Sequence, residues 1–386
     1  MIANSAPDTR GPVSIHRRRP ILGGLDRVCS VIAIVPARNE EAGVLTALES
    51  LANQSARPDL IVVVVNNSTD RTELYARNFA ERPDAPPTKI LNLPDNPHKK
   101  AGALNYALWW MRNNARARLA DVAEFIMVMD ADTSLHPEFV ARARRVMMAR
   151  PSLGGLSAAC LGRTGLWRNT WQRYLTGMQI IEYGRYSAVR FRRNIHTMSG
   201  AGSFYRAEAL QSLLDWRGEV FWEDHANLVE DYETTLALKE TGWGVTSNQL
   251  CIAYTDLMPT LRELQAQRER WARGTVDALR RRGVNRHTWV SIAMITLGFA
   301  GFVYSLVWIP ASLHAATWPG GSFDSRYLWL LGFWALYQSM SVRHLGWKAM
   351  AVEVVLVPEL VFNAIRNYWL FSSLVKSYTT RVSVWK

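Results

Sequence analysis

Asp130 and Asp132 stand two positions apart at the end of an apolar run, residues 125–129. Carboxylates so spaced can share a hard divalent cation that also holds phosphate oxygens. Such a cation neutralises charge on a departing diphosphate. A solvated acidic turn has the same pattern, but the apolar run before this one favours a site. Glu230 and Asp231 open a helical stretch, residues 230–239. Acids in a first turn are stabilising through the helix dipole alone, so this pair by itself singles out no chemistry. Gln267, Arg270 and Trp271 fall on one helical face, three and four residues apart. An arginine there can clamp a diphosphate by paired hydrogen bonds, and a tryptophan can stack on a sugar face. Standing alone, the segment would read as a solvated basic helix with one buried tryptophan.

These side chains need a frame. Residues 29–36, 60–65 and 125–129 are apolar runs of strand length, and residues 89–93 are a candidate strand between the last two. Between them lie helical patterns: Leu45, Leu48 and Leu51 recur at helical spacing, and residues 101–117 are helical throughout. Strand–helix alternation over the first 130 residues or so implies an α/β chain with a parallel, doubly wound sheet. Ligands of such sheets bind beyond the carboxyl ends of the strands. The polar clusters at 36–40, 66–70 and 130–132 all fall there.

Composition narrows the class. The net charge is +12, yet the basic residues are scattered, and no zinc-finger spacing, RNA-binding aromatic motif or basic zipper accompanies them. Nucleic acid is not an expected partner. Cys29, Cys160 and Cys251 are too far apart for a metal knuckle and odd in number, so they read as thiols in a reducing compartment. Residues 1–27 read as a disordered basic tail without a signal peptide's apolar core. Residues 28–286 form the expected catalytic domain.

Residues 287–386 read as a membrane region. No Asp, Glu, Lys or Arg occurs in residues 289–318, a run longer than the ~20 residues of a membrane-spanning helix. A Pro-Gly-Gly turn follows at 319–321, and residues 327–342 form a second apolar, aromatic run. Residues 349–371 are apolar but carry Glu353, Glu359 and Arg366, which fits an interfacial amphipathic helix. A buried helical hairpin in a soluble protein is the alternative. Basic residues flank the hairpin, so the positive-inside rule puts the catalytic domain in the cytoplasm.

In order along the chain stand Val-Pro-Ala-Arg-Asn-Glu (35–40), Asn-Asn-Ser-Thr-Asp (66–70), Lys-Ala-Gly-Ala-Leu-Asn (100–105) and Asp-Ala-Asp (130–132). Ser-Gly-Ala-Gly-Ser-Phe-Tyr-Arg (199–206), Glu-Asp (230–231) and Gln-x-x-Arg-Trp (267–271) follow. Each is weak singly, but the ordered set resembles the family 2 glycosyltransferases, particularly the membrane-bound branch of cellulose, chitin and hyaluronan synthases. The resemblance implies a GT-A fold and inversion at the anomeric carbon. It implies a nucleotide-sugar donor, UDP first, and Mn2+ or Mg2+ as cofactor. Carried over, Pro36, Glu40, Asn66, Asn67, Lys100 and Asp130 lie by the nucleotide. Asp132, with Asp130, holds the metal. Asp231, beside Glu230, is the general base. Gln267, Arg270 and Trp271 line the diphosphate and acceptor end, and Ser199, Gly200, Ala201 and Gly202 border the acceptor.

Two departures matter. The family usually has Asp where this chain has Asn66 and Asn67, which leaves the donor base open. N-terminal membrane helices, present in the large synthases, are missing from this sequence. Transfer of one or a few sugars to a lipid, protein or glycan hydroxyl is therefore the favoured expectation. Processive polymer synthesis is the alternative, and an inactive sugar-nucleotide-binding protein is the rival of another class. A homo-oligomer remains open. His98, just before the lysine motif, is the histidine placed to touch ligand; His196 and His225 read as satisfied imidazoles.

Overall fold

The structure is a computed structural model and describes residues 28–163, 169–189, 195–223, 228–317 and 326–379, with the side chains of 187–189 and several between 305 and 331 outside that description. The basic tail, the 319–321 turn and His225 fall outside the described residues.

The chain opens with β1 (Cys29–Ala37), α1 (Val44–Ala52), β2 (Leu60–Asn66), α2 (Thr72–Ala80), β3 (Thr88–Leu93), α3 (Lys99–Ala115), the single turn α4 (Leu119–Val122) and β4 (Ala123–Met129). There follow β5 (Ser134–Leu135), α5 (Phe139–Met148), β6 (Leu153–Gly162), α6 (Thr170–Val189), β7 (Gly202–Arg206), α7 (Ala207–Arg217), α8 (Glu230–Glu240), β8 (Gly244–Thr255) and α9 (Leu261–Arg282). The last elements are α10 (Trp289–Thr317), α11 (Arg326–Ser341), α12 (Trp347–Val355) and α13 (Val357–Thr379).

One sheet of eight strands runs in the order β3-β2-β1-β4-β7-β6-β8-β5. Its first four strands are parallel neighbours. Alternate residues explain their unbroken apolar runs. Ile32, Ile34, Val62, Val64, Ile126 and Val128 point into one core with α3 and α7. Val31, Ala33, Val35, Ile61, Val63, Phe125 and Met127 point into the other with α1 and α5. A strand buried on both faces has no polar face to show.

The second half lies beyond the doubly wound part of the sheet. β7 runs antiparallel to both β4 and β6, so the sheet is mixed. Gly202 is the first residue of β7 and sits against Ala158 of β6, where a Cβ would approach the Ala158 side chain to 3.1 Å.

The C-terminal expectations need correcting. Among the described residues, no helix is long and apolar enough to cross a membrane. α11 has 16 residues and rises about 24 Å, short of the ~30 Å hydrocarbon core. The stretch 349–371 is not one interfacial helix. It is split at Leu356, whose φ of 61° breaks the chain between α12 and α13. Its charged residues point inward. Arg185 of α6 pairs with Glu353 and Glu359 at 2.7 Å each, and Glu182 of α6 pairs with Arg366 at 2.9 Å. Phe362 and Trp369 of α13 share a core with Leu175 and Met178 of α6 and Leu264 of α9. Residues 347–379 thus pack on the catalytic domain, with their compensated charges buried and an apolar outer face exposed.

Candidate functional site

Lys100, in the first turn of α3, is the hub. Its Nζ lies 2.6 Å from Asp130 Oδ1 at the end of β4 and 2.6 Å from Glu230 Oε1 at the start of α8. It also donates to the Gly200 carbonyl at 3.4 Å. Gly200 N–H in turn donates to Asp231 Oδ2 at 2.8 Å, and Tyr232 N–H donates to Asp231 Oδ1 at 2.8 Å. Residues remote in sequence therefore meet at the carboxyl end of β4. The backbone at Gly200 is closely approached: a Cβ there would lie 3.0 Å from Lys100 Nζ and 3.2 Å from Asp231 Oδ2, so those side chains would have to shift to admit one.

The electrostatics follow from several carboxylates and few cations. Burial resists Lys100's charge, but Asp130 and Glu230 outweigh it and hold its ammonium above the usual lysine range. Burial resists Glu230's ionisation too, yet Lys100 keeps that carboxyl below its ordinary value, with Arg270 assisting. Asp231 is pushed up to about 6 by burial and by Glu230's charge. Asp130 is also raised to about 6, by burial against the opposing pull of Lys100. Glu40, after β1, is raised to about 7 by burial and by Asp132 and Asp130. Perturbed carboxyls gathered in one place mark a candidate functional site.

Asp132, the metal ligand that the resemblance implies, stands two residues beyond Asp130. It is half-buried, and Thr133 Oγ1 is its hydrogen-bond donor at 3.1 Å. Its backbone is fixed from both sides: Arg163 Nη2 donates to its carbonyl, and Gly43 packs so closely that a Cβ would lie 3.1 Å from its Cα. Arg163 is itself held by Asp256 at 3.0 Å. Among the described residues, no group of three or more His, Cys, Asp or Glu side chains forms a metal cage. One or two carboxylates completed by substrate phosphates is the arrangement magnesium ordinarily takes, so the donor set fits a shared metal.

Residues 29–274 match the profile described as "Glycosyltransferase like family 2". The chain belongs to glycosyltransferase family 2. The probable glycosyltransferase YdaM of Bacillus subtilis (strain 168) is 26% identical over 252 residues, which are 63% of this chain and 54% of YdaM. The chain thus spans about half the length of that curated relative. Among solved structures, the mannosyltransferase PcManGT from Pyrobaculum calidifontis, in complex with GDP-Man and Mn2+, is similar with a TM-score of 0.60 at 20% identity, covering 94% of this chain and 90% of that one. S. aureus TarS 1-349 in complex with UDP has a TM-score of 0.44 at 16% identity, covering 92% and 94%. The PcManGT likeness shows the fold, a GT-A-like α/β sheet flanked by helices.

Within this family frame, the expected residues distribute unevenly. Lys100, Asp130, Glu230, Asp231 and Gly200 come together by direct contact, and Glu40 joins them through the charges of Asp130 and Asp132. Ser199 and Ala201 flank Gly200 in the loop before β7; Ser199 Oγ lies 2.9 Å from Cys160 Sγ. Pro36 is the eighth residue of β1, paired in register with Val64. On α9, Arg270 acts on Glu230 through charge, and the buried Oε1 of Gln267 has no hydrogen-bond partner among the described residues. An unpaired buried acceptor of this kind is available to a ligand donor.

Asn66 is the last residue of β2, and Asn67 follows it. Their amides are committed to the loop before α3. Asn67 Nδ2 donates to the Asn96 carbonyl at 2.8 Å, and its Oδ1 accepts from Asn96 N–H at 2.9 Å. Asn66 Nδ2 donates to the Lys99 carbonyl, and its Oδ1 accepts from Asn96 Nδ2 at 2.9 Å. Asn67 also has a φ of 51°, a left-handed conformation that asparagine tolerates well. The family's usual aspartate could not donate in either ladder. The departure therefore builds the loop that carries Lys100.

Four residues were not visible as site members in the sequence. Asn96 ties β2 to α3, and Asp256 anchors Arg163. Arg268 and Glu182 are buried together, 2.6 Å apart, behind Trp271. Nothing in local pattern marks them; only their contacts do. His98, ahead of Lys100, is turned to the Glu223 carbonyl at 2.5 Å.

Proposed function

We propose that this chain is an inverting, metal-assisted glycosyltransferase moving a sugar from a nucleoside-diphosphate sugar, UDP-linked first, to a hydroxyl acceptor on a lipid, protein or glycan. The observation that carries the reading is Asp231: a half-buried carboxylate, raised to about 6, held by two backbone N–H groups in a carboxylate-rich cluster around Lys100. Its role is general base. Asp231 takes the proton of the acceptor hydroxyl while that oxygen attacks the anomeric carbon, and the bond from that carbon to the diphosphate oxygen breaks on the opposite face. Lys100 and Arg270 supply positive charge beside the leaving diphosphate. A divalent ion held by Asp132, with Asp130, would neutralise the diphosphate when bound.

Two features support the donor and its metal. The family membership covers all of these residues. The structural relative PcManGT is described with GDP-Man and Mn2+, which makes GDP-sugars the second donor class to examine. The commitment of Asn66 and Asn67 to the loop leaves the base to be read by other groups.

Membrane attachment belongs to the same reading. α10–α13 expose Leu297, Trp329, Phe333 and Trp347, each more than 70% exposed. Large aromatics on an apolar face suit the lipid–water interface, and the net charge of +12 suits anionic lipid. The helices would lie on the surface, with the catalytic domain on the cytoplasmic side.

The test is a panel of UDP- and GDP-sugars with Mn2+ or Mg2+ and membrane vesicles, scored for released nucleoside diphosphate and labelled product. Metal-dependent transfer from one donor is expected. Absence of both release and product across the panel overturns the reading.

A further inference from the structure

Glu182 and Arg185 stand three residues apart on α6, on one helical face. Each bridges two partners. Glu182 Oε2 lies 2.6 Å from Arg268 Nη2 of α9, and its Oε1 lies 2.9 Å from Arg366 Nη1 of α13. Arg185 takes Glu353 of α12 and Glu359 of α13. Glu182 and Arg268 are almost wholly buried. Such pairs add little net stability over apolar packing, because desolvation offsets their attraction. They are demanding in geometry, since a displaced partner leaves a buried charge uncompensated.

Arg268 reaches the transfer site through an aromatic ring. Its guanidinium carbon lies 4.5 Å from the centroid of the Trp271 ring and 5.6 Å from that of Tyr183. A guanidinium over a tryptophan face is an attractive contact that also fixes the ring's plane. Trp271 follows Arg270, whose charge acts on Glu230. α13 is fastened along the same helix, with Lys376 Nζ 2.6 Å from Glu269 Oε2 and Arg280 over the Tyr378 ring at 4.1 Å.

We propose that Glu182 is a positioning residue for sugar transfer: through Arg268 it sets the ring of Trp271, and through Arg366 it ties that setting to α13. It rests on the transferase reading above, in which Trp271 lines the acceptor end. The C-terminal helices then form part of the acceptor site's support, and a displacement of α13 reaches Trp271 through two ion pairs.

The experiment combines Glu182→Gln and Arg366→Gln with Trp271→Phe in the full chain. Protein labelled with 5-fluorotryptophan gives one fluorine resonance per tryptophan, 16 in all, and Trp271→Phe assigns the one that matters. Both Gln variants are expected to shift that resonance. They are also expected to lower transfer kcat about 10- to 100-fold, with donor KM within about twofold. Neither should lower kcat further in the Trp271→Phe background, since residues acting as a unit are not additive. An unmoved resonance, or additive losses, overturns the proposal. Should Glu182→Gln fail to fold, Arg366→Gln decides the matter, because the Arg366 side chain is 30% exposed and leaves Arg268 paired. A wild-type chain without transfer activity would sink the transferase reading alone, since the fluorine shift still tests the coupling.

Discussion

The backbone N–H of Gly200 donates a 2.8 Å hydrogen bond to Asp231 Oδ2. That bond joins the loop before β7 to the first turn of α8, and it orients a half-buried carboxylate, the proposed general base. Asp231→Asn keeps the shape and the Tyr232 N–H contact but cannot take a proton. Transfer is expected to fall about 10²- to 10⁴-fold, with nucleotide-sugar affinity by calorimetry near that of the native chain. A variant turning over at the native rate would remove Asp231 from the chemistry.

Gly200→Ala tests the same junction sterically. The added Cβ meets Lys100 Nζ at 3.0 Å and Asp231 Oδ2 at 3.2 Å, both tighter than ordinary contact. Lysine has a flexible stem and can retreat, so folding should survive. Its retreat moves the ammonium off Asp130 and Glu230, and kcat is expected to drop about tenfold or more. The melting temperature, measured beside kcat, separates this from simple unfolding.

The pH dependence follows from Asp231 at about 6. A general base works only when deprotonated, so kcat should rise with pH and reach half its plateau near pH 6. Stability moves the other way in the ligand-free protein. Asp130 and Asp231 bind protons more tightly folded than unfolded, because burial raises both above 3.8. The unfolded chain therefore holds fewer protons between about pH 4 and 6, and these two groups lose stability as pH rises through that window. Thermal melts across pH 4–7.5 check the sign, and Mn2+ with nucleoside diphosphate should raise the melting temperature more at pH 7.5 than at pH 5.

Much of this site could be read before the fold was known, and the reason is physical. β1, β2 and β4 are buried on both faces, so their residues form unbroken apolar runs, and Glu40 and Asp130 lie at or just beyond the ends of β1 and β4. β7 gave no such signal, being five residues long and led by two small ones. Glu353, Glu359 and Arg366 looked like surface charges on an apolar helix because their partners lie on α6, about 170–180 positions earlier. Local pattern cannot show compensation that arrives from so far away. The bonding of Asn66 and Asn67 was hidden for the same reason, since their partner Asn96 comes from the next loop.

Asn67→Asp restores the family's usual residue and should harm this chain. Asn67 acts as donor and acceptor to the backbone of Asn96. An ionised aspartate keeps the acceptor half and sets a negative charge against the Asn96 carbonyl. A loss of about 1–3 kcal/mol in unfolding free energy is expected, and Asn67→Ala should cost a similar amount. Denaturant titration measures it. A stabilised Asp variant would show that the loop is free to rearrange around a different base-reading residue.

Lys100→Met isolates the role of the hub cation. Asp130 and Glu230 would then face each other beside Asp231 with their shared positive charge gone. Removing one partner of a buried pair costs about 3–5 kcal/mol, and less here because 34% of the Asp130 side chain remains in solvent. The carboxylates can relieve the repulsion by taking up a proton, so the variant's stability should fall more at pH 7.5 than at pH 5. A divalent cation is the other remedy. If the cluster is built to receive one, Mn2+ should raise the melting temperature of Lys100→Met by more than that of the native chain, while Lys100→Arg, which keeps the charge, should respond as the native chain does. Equal metal responses in all three proteins would show that Lys100 and the divalent ion answer to different carboxylates.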